Sequence, residues 1–400
     1  MHLFVNALAA SAGGGLTYIH NVIPELASRR ELHITVAAAS TVCEQFGNLA
    51  NVDIVPFKVR LANRFWYEQS MLPGIIRRTR SDVLLSAGNI ALRNSPVPQI
   101  LLSRNSLYTS PTFYRDLLDR GEYRTWLGTR VRGMFARKSI HWAQVTVAPT
   151  EAFAADLRSW TRSDKIVAIH HGFDRETFTR DLTPLAGNVQ EKLRTAQGAI
   201  KLLFVSHYNY YRNFETLILA LPILRERLAG RTIKLLLTCR LTAGANPGPY
   251  RPEAAAKLAR DLGIADMIVE LGTIPHNQLH QLYRFADLYV TPAYAETFAH
   301  PLVESMSSGV PVIASDLPVH KEICGEAALY FSRFSATELG DRFAELANSP
   351  GLAARLSEAG LARAKAFSWR KHVDELLSVA RSLSNTHDHH VPDCCSERPR

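Results

Sequence analysis

Three stretches of this 400-residue chain carry side chains and backbone suited to binding a phosphorylated or anionic ligand. The first, Ser11-Ala12-Gly13-Gly14-Gly15-Leu16-Thr17, lies between an apolar run and a helical pattern. Glycines permit positive φ there and let a ligand approach the backbone closely. The start of the next helix then offers free N–H groups and the positive end of its dipole to a phosphate. No Gly-x-Gly-x-x-Gly spacing is present, so this is not the dinucleotide fingerprint, and a tight turn without a ligand accounts for the same cluster equally well. In the second stretch, Tyr294-Ala295-Glu296-Thr297-Phe298-Ala299-His300-Pro301 follows a run ending at Thr291-Pro292, and Glu304 comes eight positions after Glu296. One carboxylate precedes the expected helix and the other lies inside it. Carboxylates so placed accept hydrogen bonds from sugar and ribose hydroxyls; the plain alternative for Glu304 is a helix-surface carboxylate. The third stretch, residues 114–138, interleaves Arg115, Arg120, Arg124, Arg130, Arg132 and Arg137 with Leu117, Leu118, Trp126, Leu127, Val131, Met134 and Phe135. It reads either as a solvated helix face over the core or as a docking face for an anionic membrane or acceptor.

Positioning such groups requires a scaffold, and the pattern supplies one. Short β-branched or apolar runs alternate with helical periodicity, as in βαβ units building a parallel sheet. In the first half strands are expected at 2–6, 33–38, 52–56, 83–86, 99–103, 144–148 and 166–169, with a helix at 17–30. Residues 170–198 lose periodicity and carry Gly172, Pro184, Gly187 and Gly198, which places the linker there. The alternation restarts with a strand at 201–206, a helix at 214–228 and a strand at 232–238. Helices are expected next at 253–262, 277–285, 301–308 and 337–347, and strands at 267–271, 288–291, 310–314 and 328–331. A long amphipathic helix at 369–383 ends the ordered chain. The expected fold is therefore α/β with two doubly wound Rossmann-like domains. These are 1–178 and 199–367, followed by a helix at 368–384 packing back toward the first domain and a disordered tail at 385–400. Ligands of such sheets bind at the carboxyl ends of the strands.

Composition agrees with a two-domain globular chain: 46% hydrophobic and 21% charged residues, at a length above that of most single cores. Five cysteines, Cys43, Cys239, Cys324, Cys394 and Cys395, are odd in number and lack disulfide-framework or zinc spacing, which fits a reducing compartment. The start has no basic lead-in of a signal peptide. No apolar run reaches the roughly 18 residues a membrane helix needs. The net charge of +9 favours an anionic partner. His387, His389, His390, Cys394 and Cys395 include metal-binding types, but nothing fixes their geometry and no metal site is assigned to them. The basic residues lack the exposed aromatics of a nucleic-acid module, so no nucleic acid is expected.

The segment from Glu296 to Glu304, followed by Ser308-Gly309-Val310-Pro311-Val312-Ile313-Ala314-Ser315, resembles the E-x7-E signature and following strand of the retaining glycosyltransferases of family four, which adopt the GT-B fold. Ile166-Val167-Ala168-Ile169-His170-His171-Gly172-Phe173-Asp174 resembles the end of that family's first domain. Leu271-Gly272-Thr273-Ile274-Pro275, running on to Leu282-Tyr283-Arg284-Phe285-Ala286-Asp287, resembles its base-binding loop and helix, and the Gly13, Gly14, Gly15 loop resembles its N-terminal phosphate loop. These matches run in order over most of the chain up to about residue 383.

The resemblance implies roles. Arg212 and His207, with Asn213 beside them, stand where the family carries a basic pair that neutralises the donor diphosphate; the histidine is a departure. Arg212 offers a bidentate fork to phosphate, whereas His207 is charged only if a diphosphate raises its pKa. Glu296 would contact the transferred hexose and Glu304 the nucleotide ribose, with Thr273 and Ile274 near the base. The family's Glu-Gly-Phe-Gly becomes Glu296-Thr297-Phe298-Ala299, whose larger side chains narrow the sugar pocket. Where many relatives carry a histidine near the sugar, this chain has Arg104 and Asn105, candidates for contacts to donor or acceptor hydroxyls.

The activity so implied is retaining transfer of a hexose from a nucleotide-diphosphate sugar to a hydroxyl of a glycan or lipid-linked acceptor. It would run by front-face attack with Arg212, Glu296 and Glu304 as the central residues. No metal and no cofactor besides the donor substrate is expected. The implied setting is polysaccharide or glycoconjugate synthesis in the cytoplasm, peripheral at the inner face of an anionic membrane. An epimerase or phosphorylase on the same fold, and a non-catalytic relative binding nucleotide or glycan, are the competing readings.

Overall fold

A computed structural model describes residues 1–10, 13–44, 46, 49–58 and 63–388. Ser11 and Ala12 lie outside the described residues. So do residues 389–400, with His389, His390, Cys394 and Cys395 and most of the expected disordered tail. The chain forms two compact units.

The first unit takes Met1–Thr109, Arg130–Gly172 and the chain from Trp369 onward. Its sheet has seven parallel strands: β1 (His2–Asn6), β2 (His33–Ala39), β3 (Val52–Phe57), β4 (Val83–Ser86), β5 (Gln99–Leu102), β6 (Val145–Ala148) and β7 (Ile166–Ala168). They lie in the order 3-2-1-4-5-6-7. β4 and β5 are buried along their whole length, as expected of strands covered on both faces. On one face the Gly13–Ala27 helix presents Tyr18, Ile19, Val22, Ile23 and Leu26. There they meet Val373, Leu376, Leu377 and Ala380 of the final helix, Trp369–Asp388. That helix runs on past residue 384, where the polar composition suggests a stop. On the other face Leu72 and Ile76 of the Arg64–Arg78 helix cover Phe4 and Leu84. Each such buried side chain contributes roughly 1.5–3 kcal/mol of transfer free energy.

The second unit comprises Ser110–Thr129 and Phe173–Ser368. Its six parallel strands are β8 (Ile200–Phe204), β9 (Ile233–Leu237), β10 (Ile268–Glu270), β11 (Leu288–Thr291), β12 (Val312–Ser315) and β13 (Ala328–Phe331). Their order is 10-9-8-11-12-13. Both sheets reverse their direction of growth beside their first strand, at β1/β4 and at β8/β11. The loops after those strands flank the topological switch points where doubly wound sheets hold ligands.

The structure departs from the sequence expectation in two places. Residues 170–198 are not simply irregular but hold two short helices, Arg175–Thr179 and Gly187–Arg194. The Asp174 carboxylate accepts from the N–H groups of Glu176 and Thr177, capping the first helix, and Val189 and Leu193, four apart, bury one side of the second. The basic stretch 114–138 is two helices, Pro111–Asp119 and Tyr123–Trp142, broken at Gly121 with φ +70°. Its beginning, expected in the first domain, belongs to the second unit. Ser110 caps the Pro111–Asp119 helix by accepting from Phe113 N–H at 3.2 Å, and Phe113 and Leu117 are fully buried. The Phe113 ring lies 6.1 Å from that of Tyr211.

Candidate donor site

The site in the second unit is built by two loops. The first follows β8 and carries His207, Arg212 and Asn213; the second follows β11 and carries Glu296 to Ala299. They join at the backbone, where Tyr294 N–H donates to Tyr211 C=O at 3.0 Å, and at the side chains, where Arg212 Nη1 donates to Glu296 Oε2 in an ion pair. Arg212 also lies over the Tyr211 ring at 5.2 Å, and its buried Nε has no hydrogen-bond partner among the described residues. Burial opposes the charge of the guanidinium, but Glu296 and the neighbouring tyrosines outweigh it and keep its pKa above the ordinary value. Burial likewise pushes Glu296 toward its neutral form. Arg212, the Thr297 N–H donated to Glu296 Oε1 at 3.0 Å and the nearby His320 reverse this, so its pKa falls below the usual glutamate value. The pair is therefore fully ionised at neutral pH.

Glu304 lies in the His300–Ser307 helix with only 4% of its side chain exposed, so the surface-carboxylate alternative is excluded. Its Oε1 pairs with His276 Nε2 at 3.0 Å and its Oε2 accepts from the Tyr283 hydroxyl at 2.9 Å. The hydrogen bond to Glu304 raises the His276 pKa against the opposing effect of burial. His276 and Tyr283 were not singled out for this role from sequence. The signal was present, since His276 sits two residues after Ile274 in the loop flagged for the base. In that loop Thr273 is exposed and the Ile274 side chain is buried, after Gly272 at φ +83°.

Two assigned residues, Asn213 and Phe298, turn out to be occupied by the fold itself. Asn213 caps the Phe214–Arg227 helix in the left-handed region at φ +57°. Its amide donates to Pro292 C=O at 3.1 Å and Arg333 C=O at 2.6 Å, and its Oδ1 accepts from the Thr216 hydroxyl at 2.9 Å. Its side chain ties the two loops and leaves little for a ligand. Phe298 is buried against the Phe367 ring at 5.5 Å. His207 is exposed, and burial of its ring with repulsion from Arg212 lowers its pKa, so it is neutral at pH 7 in the free protein. Ala299 takes φ +63°, the conformation that favours the glycine implied there by the family pattern.

The first unit holds the remaining candidates. Gly13, Gly14 and Gly15 open the Gly13–Ala27 helix, and neither Gly14 nor Gly15 has positive φ, so these two act as helix N-terminus rather than as a turn. Gly14 is open where a Cβ would project, whereas at Gly15 a Cβ would stand 3.3 Å from Ala10 Cα. Arg104, after β5, donates to Gly14 C=O at 3.2 Å and Ala87 C=O at 2.6 Å, stitching together the loops after β1, β4 and β5. Asn105 accepts from Leu107 N–H at 3.1 Å as a cap. Among the described residues no group of three or more His, Cys, Asp or Glu side chains could hold a metal ion, and no helix is long and apolar enough to cross a membrane.

Comparison with known proteins decides the family. Residues 12–177 match Glycosyltransferase Family 4, and residues 187–363 match Glycosyl transferases group 1. The chain belongs to the glycosyltransferases of family-four type. The chain is 25% identical over 275 residues to D-inositol 3-phosphate glycosyltransferase of Corynebacterium aurimucosum, covering 68% of the chain and 63% of that relative. It is 27% identical over 257 residues to the protein of the same description from Actinosynnema mirum, covering 62% and 60%. It thus spans less than two thirds of the length of these relatives. In structure it resembles sucrose-phosphate synthase from Thermosynechococcus elongatus (TM-score 0.74, 17% identity, 96% of this chain and 100% of that one). It also resembles Anabaena HepE in complex with UDP (TM-score 0.69, 15% identity, 96% and 100%). The chain has the GT-B type of fold, with two Rossmann-like parallel-sheet units.

Proposed function

We propose that the protein transfers a hexose from a nucleoside-diphosphate sugar to a hydroxyl of a glycan or lipid-linked acceptor, with retention at the anomeric carbon. The observation that carries this reading is the Arg212–Glu296 pair, which joins the loops after β8 and β11 at the switch point of the second sheet. Arg212 has donors beyond the one given to Glu296, in the planar fork that suits a diphosphate. Charge growing on the departing diphosphate is what such a group stabilises, and interactions of that kind are worth about 10²–10³ in rate each. Glu296, held ionised, would accept from hexose hydroxyls. Glu304 would accept from ribose hydroxyls in exchange for its present partners. In the first unit, the glycine-rich helix start and Arg104 would serve the acceptor or the phosphates. The chemistry as proposed needs no metal, the departing phosphate itself assisting deprotonation of the acceptor.

Calorimetric titration and melting with UDP-, GDP-, ADP- and dTDP-sugars tests the reading, because a ligand bound only by the native state raises its apparent stability. One nucleotide series should bind. Arg212→Ala should still fold, with a lowered melting temperature because Glu296 loses its partner, and lose transfer by at least about 100-fold. Wild-type turnover in that variant, or no binding in any series, would refute the assignment.

The same reading extends to where the enzyme works. In the first unit Val131, Met134 and Phe135 point outward from a helix whose Gly133, Ala136 and Ile140 point inward. Phe65 bridges Phe135 to Trp66, which is 74% exposed. Arg130, Arg132, Arg137 and Lys138 surround this patch, and the helix contains no acidic residue. An apolar face ringed by cations fits an anionic lipid surface. Peripheral attachment there would suit a lipid-linked acceptor.

A further inference from the structure

Besides the Arg212–Glu296 pair, the Tyr294–Tyr211 backbone bond and the Asn213 amide, the two donor-site loops share a further attachment, made through a helix distant in sequence. Asp116 and Arg120 sit one turn apart at the end of the Pro111–Asp119 helix and pair through Arg120 Nε and Asp116 Oδ1 at 2.7 Å. The other Asp116 oxygen accepts from the Tyr294 hydroxyl at 2.6 Å, two residues before Glu296. Arg120 Nη1 meets Glu215 Oε1 at 3.0 Å, three residues after Arg212. Glu215 in turn accepts from the Tyr208 hydroxyl at 3.2 Å, and the Arg120 guanidinium lies 4.2 Å from the Tyr210 ring centre. Tyr210 donates to Glu122 Oε1 at 3.0 Å, just beyond Arg120 in the chain. Tyr208, Tyr210 and Tyr294 are all buried. Tyr208, through Glu215, and Tyr210 of the first loop and Tyr294 at the base of the second thus converge on one helix end, which the chain contributes from before residue 130.

We infer that Asp116 and Arg120 are positioning residues of the donor site, setting the separation at which Arg212 and Glu296 meet a diphosphate sugar. The inference rests on the donor-site reading above. Neither residue is placed to touch substrate; each acts through Tyr294, Glu215 or the Tyr210 ring. The physical argument is rigidity. A guanidinium held between two carboxylates and an aromatic face has one low-energy arrangement, because leaving any of these half-buried charges unpaired is costly. Both loops inherit that arrangement. A loop displaced by about 1 Å loses a large part of what a preorganised site supplies.

The test is a double-mutant cycle on nucleotide affinity. Tyr294→Phe removes only the hydroxyl donated to Asp116, and Arg120→Gln removes the cation while keeping the side-chain stem. UDP, GDP, ADP and dTDP, with the matching monophosphates, are titrated into wild type, into each variant, into Arg212→Ala and into the combinations. The diphosphate bound by wild type should bind each single variant about tenfold more weakly, in the range of couplings between residues of one network. Its monophosphate should lose little. In the Arg212→Ala background Tyr294→Phe should cost nothing further, because the loss acts through Arg212. Arg120→Lys should recover part of the affinity that Arg120→Gln loses. A role confined to stability would instead lower the melting temperature and weaken mono- and diphosphate alike, with additive effects. That outcome overturns the inference and leaves the donor-site reading standing. Failure of wild type to bind any diphosphate overturns both.

Discussion

Glu304 shows what a single side chain can and cannot reveal in advance. Its spacing from Glu296 marks it, yet only the fold discloses that His276 and Tyr283 hold its two oxygens. This arrangement has a consequence in pH. A histidine whose folded pKa lies above the unfolded value of about 6.5 adds stability below that pH and loses it as pH rises through the folded pKa. The stability advantage of wild type over Glu304→Gln should therefore shrink as pH is raised above about 6.5, and the His276 ring should titrate with a higher midpoint in wild type than in the variant. Urea unfolding across pH and NMR titration of the ring measure this; a pH-independent difference would count against the pairing. His320 and His372 carry the opposite sign. Burial, the dominant cause, lowers both to about 4. Each stays neutral in the fold and opposes unfolding fully only above about pH 6.5. Stability should fall between about pH 6.5 and 4, by on the order of 3 kcal/mol per histidine at the acid end. His372→Gln should reduce this acid dependence, read from denaturant midpoints at several pH values.

At the scale of elements, two helices start from residues in the left-handed region, and their chemistry differs. Asn213 tolerates φ +57° and repays the conformation with three side-chain hydrogen bonds. Ala299 holds φ +63° at the N-cap of His300–Ser307 with no side-chain cap to offset it. A non-glycine residue there costs roughly 1–2 kcal/mol, against which glycine loses some unfolded-state entropy. Ala299→Gly should stabilise the protein by about 1 kcal/mol, a rise of about 2–4 °C in the melting temperature of a unit of this size. An unchanged or lowered melting temperature would show the strain to be relieved elsewhere. Strand positions were legible because buried parallel strands are continuous apolar runs, as in Val83–Ser86 and Gln99–Leu102. The helices Arg175–Thr179 and Gly187–Arg194 were missed because short helices are fixed by a cap and one buried pair, too few residues to show a period.

For the whole molecule, the charge of +9 gains meaning from where it sits. A helix apolar on both faces and free of acidic residues has more to bury than its own core provides. The protein should bind vesicles containing phosphatidylglycerol or phosphatidylserine and leave neutral phosphatidylcholine vesicles, with binding falling as salt is raised. Trp66→Glu together with Met134→Glu should abolish binding while donor affinity is kept. Co-sedimentation reads the first and calorimetry the second. A concentration-dependent dimer lost in the double variant, without vesicle binding, would assign the face to a second copy instead.

What the residues determined unaided was the α/β class and two doubly wound sheets, because each is written in local periodicity, while Glu296 and Glu304 stood out as candidates by their spacing in a motif of a few adjacent positions. What only the tertiary structure decided was which groups stand opposite one another. The pairing of His276 with Glu304, the commitment of the Asn213 amide to the backbone and the attachment of Ser110–Thr129 to the second unit all join positions far apart in the chain. Such contacts depend on the path of the folded backbone, and local spacing carries no record of that path.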